Sequence, residues 1–523
     1  MTARATARLA IGGFALVALA GVLLRPAAPI DETRYLAVAW EMWLSGDLLV
    51  PTKNFAIYAH KPPLLFWSIN GVWALFGVSD VAARLVGPTF ALLTVLLASR
   101  LARSLWPEDE EIGARAMIAL SGSLAFAFFG GLTMFDAALS AAAVGSMLAL
   151  VRAARTRRPR DWVLVGLGLA MGVLVKGPVI LIHVLPAMLF LRVWAAPNAR
   201  PPLREVLRGS GLALLVALAT VGLWLVPAIV AGGAEYRAAV LWTQSAGRVA
   251  SSFAHARPWW AYAPFLPVLL FPWVLSPGLW RAGIRTTLRA EPGLRLAAIW
   301  AGGALVLFSL ISGKQMHYLL PELVPAALVV ARLSRSATVS IWPAAAVAML
   351  LAVVAGAAGA GLVPLGAAAE LLTPRPAVLA FALLVVSAAF VAVRAGGLRG
   401  GAILSLGMLA AANLLVGVTA SRNVYDARPI AAAIVPHAAE GIAVYGAPYH
   451  AEFNFAGRFE QPVAELTDPA ALADWQAVHP RGVIVARADR DGPAWPSRAT
   501  FLFRNRPYAI WHVADSEAER PRT

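Results

Sequence analysis

The sequence contains no cysteine among its 523 residues, which excludes disulfides and thiolate metal sites. Charge is scarce as well. Only 14% of residues are charged and 59% are hydrophobic, whereas a soluble globular chain carries about 25% charged residues. With a mean hydropathy of +0.70, long stretches have no side that faces water. No charged residue lies between Arg335 and Glu370, and none lies from Leu9 to Leu24. A bilayer core is crossed by roughly 20 apolar residues in one helix, so the chain is read as a polytopic membrane protein. Acidic residues are the rarer sign: 28 Asp and Glu stand against 44 Lys and Arg, a net charge of +16. The basic residues fall in short loops between apolar spans, which is the positive-inside pattern and not a nucleic-acid surface. No phosphate-cradling glycine loop or nucleotide fold is visible, so neither a nucleotide nor a redox cofactor is expected.

Apolar windows predict about thirteen transmembrane helices. They lie near 9–25, 82–103, 114–132, 134–151, 161–176, 178–194, 209–231, 262–280, 296–312, 318–333, 340–362, 376–393 and 400–418. The first follows Arg4 and Arg8 and resembles a signal peptide, but AAP is only a passable cleavage site and the segment reads as a retained helix. With the N-terminus in the cytoplasm, the loops after even-numbered helices carry the arginines. These are Arg152, Arg155, Arg157, Arg158 and Arg160; Arg192, Arg200, Arg204 and Arg208; Arg281, Arg285 and Arg289; Arg332 and Arg335; and Arg394 and Arg399. Counting residues 62–78 as a further crossing would invert this order, so that aromatic-rich stretch is placed in the interface.

The expected organisation is a membrane domain over 1–419, with a long outer first loop at 26–81, followed by a small α/β domain at 420–523. In the latter, GIAVYG, GVIVARA and FLFRNRPYAIWHVA read as strands, and TDPAALADWQAV reads as a capped helix. An odd number of crossings puts this domain outside, on the same side as the first loop.

The unusual polar residues collect in loops of that same side. The first loop has Asp31, Glu32, Arg34, Tyr35 and Glu41 in DETRYLAVAWEM, then Tyr58, His60 and Lys61 in YAHKPPLLFW. Asp136 in LTMFDAAL and Lys176 in LVKGP sit at outer helix ends. Arg248, His255, Arg257, Trp259 and Trp260 share a later loop, and SGKQMHYLLP adds Lys314, His317 and Tyr318. Each has a plain structural reading. Glu32 and Arg34 make an ordinary solvated pair, Lys314 snorkels to the interface, His183 packs or hydrogen-bonds inside its helix, and the two tryptophans form an interfacial belt. Asp136 resists that reading, because a carboxylate between Phe135 and Ala137 needs a compensating cation or metal. The functional reading gives the groups complementary parts. Transfer of a sugar from a lipid phosphate needs a base for the acceptor hydroxyl and cations for the departing phosphate. Asp31 is the candidate base, and Lys61, Arg257 and Lys176 are candidates for the phosphate.

DETRY, GDLLVP, YAHKPPLLFW and LFGVSDVAARL resemble the start of GT-C glycosyltransferases of the lipid A aminoarabinose transferase-like and protein O-mannosyltransferase-like group. The similarity continues in order through the Asp136 segment, LVKGP, HARPWWAYAPFLPVLLFPW and GKQMHYLLPELVPAALVVARL, over about the first 330 residues. It implies an inverting transfer from an undecaprenyl-phosphate-linked sugar, with Asp31 at the reaction centre, Glu32 and Asp136 as further catalytic carboxylates, and Lys61 on the carrier phosphate. Arg34, Tyr58, Lys176, Arg257 and Tyr318 would complete the substrate-binding set. A divalent ion (zinc, magnesium or manganese) would be held near His60 and His255. The family commonly has Glu where His60 stands, and imidazole suits zinc. Lipid A, another glycan and a protein all remain open as acceptors, and aminoarabinose, a hexose and a uronic acid all remain open as the sugar. The rival class is a flippase or other transporter, which would hold its ionisable groups near the bilayer midplane.

Overall fold

The computed structural model describes residues 2–240, 256–282, 291–364, 366, 368–490 and 492–518. Among these, nine helices are long and apolar enough to cross a membrane. The number is ten if Ile112–Ser121 and Leu124–Gly130, bent by 70°, count as one span. The shortfall against the thirteen apolar windows has local causes. The run Pro159–Leu189 covers two windows. A Cβ on Gly172 would meet the Ile180 side chain at 2.3 Å, whereas residues eight apart on a straight helix are about 12 Å apart. The chain therefore doubles back after Lys176, at Gly177, whose φ of 71° suits glycine. The window 262–280 is cut into short turns by Pro264, Pro267, Pro272 and Pro277, since each proline removes an amide donor. The last is a helix of 11 residues, Leu323–Leu333, preceded by the turn Met316–Leu319.

The two ends of the bundle carry different chemistry. At one end, ion pairs tie neighbouring loops together: Arg152 to Asp161 at 3.2 Å, Arg332 to Glu291 at 2.7 Å and Arg332 to Asp109 at 3.4 Å. At the other end lie the helices Asp31–Ser45 and Leu64–Phe76, joined by a hairpin of β1 (Thr52–Lys53) and β2 (Ala56–Ile57). Leu75 and Phe76 are more than three-quarters exposed, as an interfacial helix end would be.

The C-terminal region forms a five-stranded sheet of β3 (Ile442–Tyr445), β4 (Ala464–Leu466), β5 (Val483–Arg487), β6 (Ala499–Phe503) and β7 (Arg506–His512), in the order β4-β3-β5-β7-β6. β3 runs parallel to both β4 and β5, and β7 runs antiparallel to both β5 and β6. The stretch read as one strand at 501–514 is mostly a tight hairpin, turning at Arg504 and Asn505 with φ of 54° and 58°. Asp468 caps the helix Pro469–Val478 by accepting from the amides of Ala470 and Ala471.

A buried polar network fastens this sheet to the first loop. Glu41 accepts from the amides of Asn54 (2.7 Å) and Phe55 (2.8 Å), and the Asn454 amide reaches both Glu41 and Asn54. Asn54 in turn exchanges two bonds with Val463. Trp40 donates to the Phe459 carbonyl at 2.9 Å, and Trp73 stacks on Phe455 at 5.3 Å. Glu41→Ala would leave both amides unpaired, at about 1–3 kcal/mol each. The expected result is a lower thermal midpoint and faster proteolysis within 420–518; a cleavage pattern like that of the wild type would mean the network does not hold the sheet.

Candidate functional site

Asp31 and Glu32 open the helix Asp31–Ser45, where the positive end of the helix dipole favours carboxylates. Being adjacent, they point apart. Asp31 stays 40% exposed, and its Oδ1 accepts from Arg34 at 2.5 Å and from the Tyr35 hydroxyl at 3.0 Å. Glu32 turns inward and is 1% exposed. It accepts from Arg25 at 2.5 Å, the Ala28 amide at 2.8 Å and the Thr133 amide at 2.8 Å. Arg34 thus pairs with Asp31, while Glu32 belongs to Arg25.

Burial pushes the Glu32 carboxyl upward, but the charges of Arg25 and Arg84 and the hydrogen bonds outweigh it and hold the group at about 2, against an ordinary 4.5. A carboxyl depressed on folding stabilises the fold above its unfolded value and loses that effect as pH falls towards the folded one. The thermal midpoint is therefore expected to hold above about pH 4.5 and to fall below it, and Glu32→Gln should flatten that part of the profile. A scan from pH 7 to 3 in detergent checks this, and an unaltered slope in the variant would remove Glu32 as the cause.

Behind Asp31 stands an aromatic cluster contributed by three helices. The Tyr35 ring meets Phe135 edge-on at 4.8 Å, and Phe66 meets it at 5.5 Å. The Lys61 ammonium lies 5.5 Å from the Phe135 ring centre. Tyr58 is buried, packs 6.4 Å from Phe66 and stacks on His60 at 5.3 Å. Pro62 and Pro63 precede the helix Leu64–Phe76 and keep it from starting earlier, which leaves His60 and Lys61 at a bend in the chain beside this cluster.

Asp136 follows Phe135 in the first turn of the helix Phe135–Thr156 and is 2% exposed. Its Oδ1 is 2.6 Å from the Lys176 ammonium and its Oδ2 is 3.9 Å from Nε2 of His317. The same ammonium lies 4.4 Å from the centre of the Tyr318 ring. Asp31, Lys61, Asp136, Lys176 and Tyr318 come from separate segments, and the contacts above bring them to one end of the bundle.

Other expected members stand apart. Arg257 is exposed. Its amide donates to Ser312 at 3.0 Å and its guanidinium lies 5.2 Å from the Phe265 ring. Lys314 does not snorkel: it is 2% exposed and donates to the carbonyls of Arg257 (3.0 Å) and Ile311 (2.5 Å). His255 and Arg248 lie outside the described residues. Among the described residues no group of three or more His, Asp or Glu side chains is arranged to hold a metal ion, and His60 is exposed against Tyr58. His317 was visible in its motif without a role, whereas nothing local marked Arg25 and Arg84 as the partners of Glu32.

Residues 60–226 match the family model described as dolichyl-phosphate-mannose-protein mannosyltransferase. The fold aligns with the crystal structure of ArnT from Cupriavidus metallidurans bound to undecaprenyl phosphate with a TM-score of 0.75, covering 97% of this chain and 98% of that one at 19% identity. With the apo form of the same protein the TM-score is 0.73, at 18% identity. The chain therefore shares the polytopic helical fold of that protein, with a small C-terminal sheet.

In sequence it resembles a group of arabinosyl transferases. It is 34% identical over 310 residues to the undecaprenyl phosphate-alpha-4-amino-4-deoxy-L-arabinose arabinosyl transferase of Pseudomonas paraeruginosa. It is 32% identical over 307 residues to the protein of that name in Pectobacterium atrosepticum. These matches take in 57% and 58% of this chain and 54% of each relative, so the chain spans about half the length of the curated relatives it matches.

Proposed function

We propose that this protein transfers 4-amino-4-deoxy-L-arabinose from undecaprenyl phosphate to lipid A at the outer face of the bacterial inner membrane. The observation that carries the reading is the convergence of one half-exposed carboxylate, Asp31, with lysines from two further segments around a single aromatic cluster. The names of the relatives support the choice of sugar and carrier. In this reading an acceptor oxygen attacks C1 of the sugar as the C1–O bond to the phosphate breaks on the opposite side, which inverts the anomeric centre. Asp31, oriented by Arg34 and Tyr35, takes the acceptor proton. The bonding electrons leave with the carrier phosphate, which Lys61 and Lys176 stabilise. Asp136 holds Lys176 in place, and Glu32 acts as a strut between the first loop and the Thr133 backbone.

The arginine-bearing loops support a cytoplasmic N-terminus, with the membrane domain at 1–419 and the domain at 420–523 in the periplasm. The test is reconstitution in nanodiscs with undecaprenyl-phosphate-linked aminoarabinose and lipid A, followed by mass spectrometry. Lipid A heavier by one sugar residue is expected. If no acceptor gains a sugar while labelled donor changes leaflet in vesicles, the protein is a flippase and the proposal falls.

A further inference from the structure

One buried polar pair lies beneath the site and has no part in the chemistry described above. His183, on the arm that returns from Gly177, is fully buried, and its Nδ1 is 2.6 Å from Oε1 of Glu322. Glu322 is 7% exposed and immediately precedes the helix Leu323–Leu333. The second atoms, Nε2 of His183 and Oε2 of Glu322, are buried and meet no hydrogen-bonding partner among the described residues. Burying ionisable groups among membrane helices is expensive, and an apolar pair of similar volume would join the same helices at lower cost.

The geometry points to what the pair accomplishes. Glu322 ends a continuous turn: the amide of Tyr318 donates to Gln315, that of Leu320 to His317, and that of Glu322 to Leu319. The segment from Lys176 to His183 is therefore joined to the segment from His317 to Glu322 at two levels. The upper contacts are Lys176 against Tyr318 and Asp136 against His317; the lower is His183 to Glu322. Phe308 fills the space between them, with its ring centre 5.3 Å from that of His183 and 6.0 Å from that of Tyr318. A directional hydrogen bond at the lower level fixes the register of the upper one, which apolar contact alone would let slide.

We propose that His183 and Glu322 are positioning residues that set Tyr318 and His317 against Lys176 and Asp136. The inference rests on the transferase reading for its consequence. Glu322→Ala and Tyr318→Ala should each lower kcat/KM for the lipid-linked donor by about tenfold or more. The double variant should be no worse than the poorer single one, because both act through the same contact. Glu322→Gln retains an oxygen for His183 and should recover activity to within about threefold of wild type. A pair that merely holds helices together would lower thermal stability and give losses that multiply in the double variant. That result, or full activity in Glu322→Ala, overturns the proposal. If the wild-type protein transfers no sugar, the function proposal falls separately. The same cycle is then read on binding of undecaprenyl phosphate, where non-additive losses support the pairing and additive ones overturn it.

Discussion

Asp31→Asn is expected to slow sugar transfer by about a thousandfold while leaving the protein folded, the range in which loss of a general base falls. Asparagine keeps the shape of the side chain and an oxygen for Arg34 and Tyr35, so the start of the helix should be undisturbed. What it loses is the capacity to take a proton. Neither neighbouring carboxylate is placed to substitute. Glu32 is buried with both oxygens engaged by Arg25, Ala28 and Thr133, and Asp136 is buried 2.6 Å from Lys176. The check is an initial-rate assay with lipid-linked donor alongside a thermal midpoint within about 2 °C of wild type. Undiminished transfer would remove Asp31 as the base and leave the acceptor to lose its proton to solvent.

The membrane architecture was legible because scarcity of charge is a bulk property that needs no knowledge of contacts. Even the reversal after Lys176 was marked, since Gly177 and Pro178 separate two apolar windows. The broken stretch at 262–280 was not, because hydropathy registers the apolar residues and ignores the amides that four prolines remove. Asp31, Lys61, Asp136 and Lys176 stood out as polar groups against an apolar background. Their partners were harder to read. The pairing of Asp31 with Arg34 follows from i,i+3 spacing on a helix, and residues two apart, such as Glu32 and Arg34, do not face each other. One partner of Glu41, by contrast, lies 413 residues away at Asn454, a separation at which local pattern carries no information.

The second large effect is expected from Lys61→Ala, which should raise the donor KM roughly a hundredfold, equivalent to about 3 kcal/mol of lost phosphate attraction. Lys61 is half-buried beside Phe135, in a low-dielectric setting where a charge acts strongly on the carrier phosphate from binding onward. Lys176 is less able to compensate, because its ammonium is already held by Asp136 at 2.6 Å and covered by the Tyr318 ring. Lys61→Arg should recover only part of the affinity, since a planar guanidinium does not fit where a compact ammonium stood. Binding of undecaprenyl phosphate to the purified variant, measured beside its thermal midpoint, separates lost recognition from lost fold. Unchanged binding in Lys61→Ala with lost binding in Lys176→Ala would pass the phosphate to the buried pair. Asp136 would then be the group that gives up its lysine as the carrier enters.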